Sequence, residues 1–242
     1  MKVTLFKKIR NARRRFCTAI VAAAGSSSRM GTGANKLLEH LDGTPVLVHT
    51  LLALDRAATV DAIVIAAREE DILLYSGLCR TYGISKPVKV VRGGGNRTES
   101  VLRAALEADP RTELLAVQDG ARPLVTPALI DTVISKADRC NAAVPVIPVK
   151  DTIKIVSDDH IDSTPDRATL RAVQTPQVFE ASLLKAALQS ALEADAPQTD
   201  DAAAVERLGK QVYFVDGEDT NIKITTPIDL LIAEAILAER RH

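Results

Sequence analysis

The chain has 242 residues, 46% hydrophobic and 26% charged, with 31 Lys and Arg against 31 Asp and Glu. That is ordinary for a globular protein with a sizeable core, and no apolar run approaches the roughly 18 residues that would span a membrane. Aromatic residues are scarce at 3% and Trp is absent, so the core must be built from Ala, Leu, Val and Ile.

The balanced charge hides an asymmetry. Residues 1–15, "MKVTLFKKIRNARRR", carry seven Lys or Arg and no acid, which leaves a net charge of −7 on the rest. Leu5, Phe6, Ile9, Ala12 and Phe16 can share one face of a helix, so one reading is a basic amphipathic helix on an anionic membrane. The plainer reading, and the expectation, is a basic tail outside the folded domain. No apolar h-region marks a secretory signal. Cys17, Cys79 and Cys140 are far apart and odd in number, which suits the reducing cytoplasm and gives neither a disulfide framework nor a zinc site.

From residue 16 the pattern alternates. "CTAIVAAA" is a continuous apolar run of strand length, as a strand buried on both faces requires. "DAIVIAA" (61–67), "VKVV" (88–91), "ELLAVQD" (113–119), "AAVPVIPV" (142–149) and "QVYFV" (211–215) repeat it. Helical segments lie between them. Thr44-Pro45, Thr126-Pro127 and Thr226-Pro227 each precede an apolar periodic stretch, with Thr as the expected cap and Pro in the first turn. Strand–helix alternation predicts an α/β domain over 16–242, a mostly parallel sheet with helices on both faces. The segment at about 150–173 breaks the pattern with two short β-like pieces around a polar middle. It reads as a hairpin arm. A two-stranded arm is marginally stable alone, so a second subunit is expected to cover it.

In open α/β sheets, ligands sit beyond the carboxyl ends of the strands. After the first strand comes Gly25-Ser26-Ser27-Ser28-Arg29-Met30-Gly31, small residues that let backbone N–H groups approach an anion, with Lys36 following. It is neither a P-loop nor a dinucleotide fingerprint. After the third comes "RGGGNRTESV", whose three glycines suggest close ligand approach, with Arg97 and Ser100 beyond. After the fourth, Asp119 and Gly120 precede Arg122. A carboxylate there can hold Mg²⁺ or a ribose hydroxyl. Lys223 stands on a short β-like piece before the last helix. Each signal alone is weak. Together they predict a cationic crevice with one acid, and no Ser–His–Asp or Cys–His set is evident. That suits nucleotide chemistry, in which the protein positions phosphates and neutralises charge.

"VAAAGSSSRMG…NKLL", "GGGNRTESV", "VQDGARPLV", "PVKDTIK", "QTPQVF", "TDDAAAVE" and "DTNIKITTPIDL" follow one another in the order of the motifs of the 2-C-methyl-D-erythritol 4-phosphate cytidylyltransferases, a family the chain resembles from residue 16 to about 240. The resemblance implies a Rossmann-like mixed sheet, arms embracing across a homodimer, and an enzyme of isoprenoid precursor synthesis. Such an enzyme joins CTP to a sugar-alcohol phosphate with Mg²⁺, giving a CDP-alcohol and pyrophosphate. No nucleic acid partner is implied. By resemblance, Arg29 and Lys36 grip the triphosphate and Lys223 is the second phosphate-gripping lysine. Ala23, Ala24 and Gly25 contact the cytosine nucleotide, with Ser100 at the base and Arg97 beside it. Asp119 and Gly120 match the metal and ribose position. Thr152 and Arg167 match arm residues that reach the alcohol phosphate of the neighbouring subunit, and Thr175 a nucleotide- or substrate-side threonine. Arg122 is assigned to the substrate side with them. The chain departs from the family pattern at Leu37, Gly95 and Gly120. Ribitol-5-phosphate cytidylyltransferases share most of these motifs, so another polyol phosphate stays open as acceptor, as does a nucleotide-binding protein without catalysis.

Overall fold

The computed structural model describes residues 14–25, 35–196 and 198–241. In chain order these form β1 (Cys17–Ala23), the short strands β2 (His40–Leu41) and β3 (Thr44–Pro45), α1 (Val46–Arg56), β4 (Ala62–Ala67), α2 (Ile72–Thr81), β5 (Val88–Arg92), α3 (Arg97–Leu106) and β6 (Leu114–Asp119). There follow α4 (Pro127–Cys140), β7 (Ala142–Pro148), β8 (Ile155–Ser157), β9 (His160–Ser163), β10 (Arg171–Val173) and β11 (Gln177–Glu180). Then come α5 (Ala181–Glu193), α6 (Asp201–Arg207), β12 (Tyr213–Asp216) and α7 (Pro227–Glu239).

The apolar runs of the sequence form the middle of one sheet. β5, β4, β1 and β6 lie side by side and parallel, with β1 inside. β11 runs antiparallel to β6 and β7, β10 pairs antiparallel with the end of β7, and β12 is parallel to β7 along its other edge. Side chains alternate between two cores, as the two-residue period of a strand requires. Cys17, Ala19, Val21 and Ala23 of β1 face a core built with α1, α2, α4 and α7. Ile20 faces a second core built with α3, α5 and α6. β6 divides in the same way, Leu114 and Ala116 to the first and Leu115 and Val117 to the second. This is the expected Rossmann-like α/β sheet. The sequence reading had no strand at β10 or β11.

Two of the three Thr-Pro starts behave as expected. The Thr126 hydroxyl accepts the Leu129 N–H at 3.1 Å with Pro127 in the first turn of α4. At α7, Asp229 reaches back and accepts the N–H groups of Thr225 and Thr226 at 2.8 and 2.7 Å. Thr44-Pro45 differs: it pairs with β2 as strand β3, and α1 begins after Pro45 without a side-chain cap. The arm is a hairpin of β8 and β9, but residues 171–173 return to the main sheet as β10. At the other end, Arg14 binds Asp61 and the Thr59 carbonyl, and Arg15 binds Asp138 and the Ala137 carbonyl. The last two residues of the expected tail are therefore anchored on the domain. Residues 1–13 lie outside the described residues.

Candidate active site

From β1 the sheet grows to β4 and β5 on one side and to β6 on the other. Such a reversal opens a crevice beyond the carboxyl ends of the two strands that flank it. Here that crevice is a cavity of about 410 Å³. Ala22–Gly25 line it after β1, Lys36 and Leu37 before β2, and Gly94–Arg97 with Ser100 at the start of α3. Asp119 and Ala121 at the end of β6 and Lys223 before α7 complete it.

Asp119 is the electrostatic centre. Its Oδ2 lies 2.7 Å from Lys223 Nζ and 3.7 Å from Arg122 Nε, and its Oδ1 3.6 Å from Arg97. Burial pushes this carboxyl up, but Lys223, Arg97 and Arg122 outweigh it and hold it below the usual aspartate range. Asp119 is thus a buried carboxylate kept ionised by three cations. Arg97 is shared, with its guanidinium 2.7 Å from Asp201 Oδ2. Asp201 is fully buried, and burial pushes its carboxyl up against the pull of Arg97. Burial disfavours the Arg97 charge, yet Asp201 and Asp119 raise its pKa overall.

The segment that carries Lys223 is held on both sides. Ile224 N–H donates to the Ala121 carbonyl at 2.8 Å. The Asn221 carbonyl accepts from Arg122 at 2.6 Å, and its side-chain amide donates to the Thr175 carbonyl at 3.0 Å. Thr175 itself is buried beneath the site, and its hydroxyl accepts the Asp119 N–H at 3.1 Å.

The triple glycine has a different local reason from the one its sequence suggests. A Cβ on Gly94 would stand 2.4–2.5 Å from the Glu99 side chain, and one on Gly93 2.6 Å from Ala24 Cβ. Packing against α3 and β1 therefore requires both. Their N–H groups are also used within the protein. Gly93 donates to the Ala67 carbonyl at 2.8 Å, Gly94 to Ser100 Oγ at 3.0 Å and Gly95 to Glu99 at 2.7 Å.

Of the residues singled out in the sequence, Ala23, Ala24, Gly25, Lys36, Arg97, Ser100, Asp119 and Lys223 come together on this cavity. Gly120 and Arg122 support it from behind. Gly120 packs on Ala22 and Leu47, and Arg122 braces Asp119 and Asn221. Thr152 and Arg167 are exposed on the arm segment, and Arg167 borders a separate groove with Lys150 and Arg171. Arg29 lies outside the described residues. Sequence reasoning assigned no role to Asp201 and Asn221. Both stand inside quoted motifs, and a polar residue at each was the available signal.

Among the described residues no group of three or more His, Cys, Asp and Glu is placed to hold a metal. One ionised carboxylate at a nucleotide-sized cavity does fit Mg²⁺ that arrives with a triphosphate, since Mg²⁺ is commonly held by one or two carboxylates plus substrate phosphates.

The sequence model of the 2-C-methyl-D-erythritol 4-phosphate cytidylyltransferases matches residues 17–239. A protein of that name from Bacillus cytotoxicus is 45% identical over 225 residues, covering 93% of this chain and 99% of its own. One from Synechocystis is 41% identical, covering 91% and 96%. Among solved structures, the 4-diphosphocytidyl-2C-methyl-D-erythritol synthase of Anaerococcus prevotii superposes with a TM-score of 0.83 at 30% identity, covering 93% of this chain and 96% of that one. The 2-C-methyl-D-erythritol 4-phosphate cytidylyltransferase of Thermus thermophilus superposes at 0.74 with 32% identity, covering 92% and 99%. The order of the motifs, the sheet and the charged cavity at its switch point thus have one explanation: the chain belongs to the 2-C-methyl-D-erythritol 4-phosphate cytidylyltransferase family.

Proposed function

We propose that the cavity at the ends of β1 and β6 binds CTP and 2-C-methyl-D-erythritol 4-phosphate and yields the CDP-alcohol and pyrophosphate. The observation that carries this assignment is the buried Asp119 carboxylate ringed by Lys223, Arg97 and Arg122, with Lys36 lining the same cavity. An oxygen of the acceptor phosphate attacks the α-phosphorus of CTP in line. The new P–O bond forms as the bond to the bridging oxygen breaks, and pyrophosphate leaves. A phosphate monoester is largely ionised near pH 7, so no general base is needed. Lys36, Lys223 and Arg29 stabilise the charge that builds on the phosphoryl oxygens. Asp119 holds Lys223 in place, and with the triphosphate it would hold Mg²⁺. Bound Mg²⁺ supplies charge neutralisation of the phosphates.

Ala23, Ala24, Gly25 and Ser100, with Arg97 beside them, form the nucleotide wall. Because the N–H groups of Gly93, Gly94 and Gly95 are used inside the protein, this loop is poor at cradling phosphate. Its carbonyls suit a hydrogen-bond donor such as the exocyclic amino group of cytosine. Thr152 and Arg167 do not line the cavity of their own chain, which supports their supply to a partner's site in a homodimer joined through the arms. The three free thiols suit the reducing cytoplasm, where we place the reaction.

The test is pyrophosphate release with CTP and Mg²⁺, using 2-C-methyl-D-erythritol 4-phosphate in one arm and ribitol 5-phosphate in the other. Release dependent on the former supports the assignment. Release only with the latter moves the chain to another acceptor, and release with neither overturns it.

A further inference from the structure

The loop Gly93-Gly94-Gly95 is a thin partition. Gly94 and Gly95 line the nucleotide cavity on one side. On the other they line a second cavity of about 320 Å³, together with Arg68, Arg92 and Arg103. A glycine loop has no side chains to hold its shape, so its shape must be imposed from outside. Two residues of α3 impose it. Arg103 donates through one guanidinium nitrogen to the Gly93 carbonyl at 2.8 Å, and Glu99 accepts the Gly95 N–H at 2.7 Å on one carboxylate oxygen. The other nitrogen and the other oxygen meet in an ion pair at 2.5 Å. One turn of helix separates the two residues, the spacing that puts them on one face. They clasp both ends of the loop and each other.

Glu99 is also fixed at its backbone. It is the third residue of α3, and its N–H donates to the Asn96 side chain at 2.9 Å. In an ordinary capping box its carboxylate would return to the Asn96 N–H. Here it goes one residue further back, to Gly95. The Gly95 hydrogen bond, with Arg103 beside it, holds the Glu99 carboxyl below its usual range.

We infer that Glu99 and Arg103, neither of which lines the nucleotide cavity, are positioning residues that set its base wall from the far side. This rests on the assignment of that wall to the nucleobase. Without the clasp, Gly93 and Gly95 gain the freedom of unsubstituted backbone, and the carbonyls of the loop lose their fixed directions. The loss falls on recognition of the base, because Lys36, Asp119 and Lys223 are held by other segments.

The test uses the full chain and three variants, Arg103→Ala, Arg103→Lys and Glu99→Gln, assayed with CTP and with UTP. Thermal unfolding is followed in parallel. In Arg103→Ala the KM for CTP should rise about tenfold, the size of a lost charge-assisted hydrogen bond. The preference for CTP over UTP should fall by a similar factor, with kcat within about twofold. Glu99→Gln should move the same quantities in the same direction. Arg103→Lys can still donate to the loop and should recover most of the preference at an unchanged melting temperature. Wild-type KM and wild-type preference in both Arg103→Ala and Glu99→Gln overturn the inference, as does a fall in kcat alone. An inactive wild-type chain overturns the assignment of the reaction, and the clasp with it. An active wild type with unaffected variants overturns the clasp only.

Discussion

Lys223 has two partners in this scheme, the Asp119 carboxylate when the site is empty and the phosphates of the substrate during the reaction. Lys223→Ala and Lys36→Ala should each lower turnover by about 10²–10³, the usual cost of one preorganised charge contact, with circular dichroism unchanged. Lys223→Ala carries a second signature. Burial pushes the Asp119 carboxyl up and the surrounding cations bring it below its ordinary value, so its ionisation contributes stability above about pH 4 that is lost as pH falls through the folded value. With Lys223 gone the burial remains, the folded value rises, and acid unfolding should begin at higher pH than in the wild type. Acid titration followed by circular dichroism measures this, and an unmoved acid transition would show that Lys223 does not control Asp119. Charged residues just after strands were legible because topology alone sends them to one crevice. Asp201 was not, because its partner Arg97 lies 104 positions earlier and an acid near a helix start reads as a cap. The glycines were legible as special but not for the right reason, since the close approach of Glu99 and Ala24 depends on packing that spacing does not encode.

At the scale of elements, the three Thr-Pro pairs separate what a dipeptide signals from what its surroundings decide. Thr126 caps α4 and its hydroxyl also donates to Glu218 at 2.6 Å. Thr126→Ala should cost about 1–2 kcal/mol, in the range for a lost cap. Thr44 makes no such bond in its short strand, so Thr44→Ala should stay within about 0.5 kcal/mol. Urea unfolding of the two variants makes the comparison, and equal losses would mean that Thr44 caps α1 after all. The buried parallel strands were readable because both of their faces are apolar. β10 and β11 escaped notice for an opposite reason. They are 3 and 4 residues long, too short to show a period, and antiparallel insertion beside β6 is a choice made by the tertiary fold.

At the scale of the molecule, the arm exposes Ile155, Val156 and Ile161 at 52, 63 and 60%, in a hairpin too small to have a core of its own. If a second copy covers it and takes Arg167, then Lys36→Ala and Arg167→Ala chains should complement when mixed and allowed to exchange. One of the two sites in such a heterodimer is free of both changes. Recovered pyrophosphate release is the expected result, and none in demonstrated heterodimers would place each site within a single chain. The arm was legible as a break in strand–helix alternation, whereas its return to the sheet at β10 was not. The tie between Asp119 and Lys223 also sets an order of assembly. Every strand of the sheet precedes Lys223 in the chain, so a nascent chain emerging from the ribosome has its whole sheet before it has that ammonium. Until the Lys223 segment arrives, Asp119 is a carboxylate facing burial without its nearest counter-charge. Docking of that late segment is thereby driven by the site itself, and the catalytic charge set is completed only after the scaffold that must hold it.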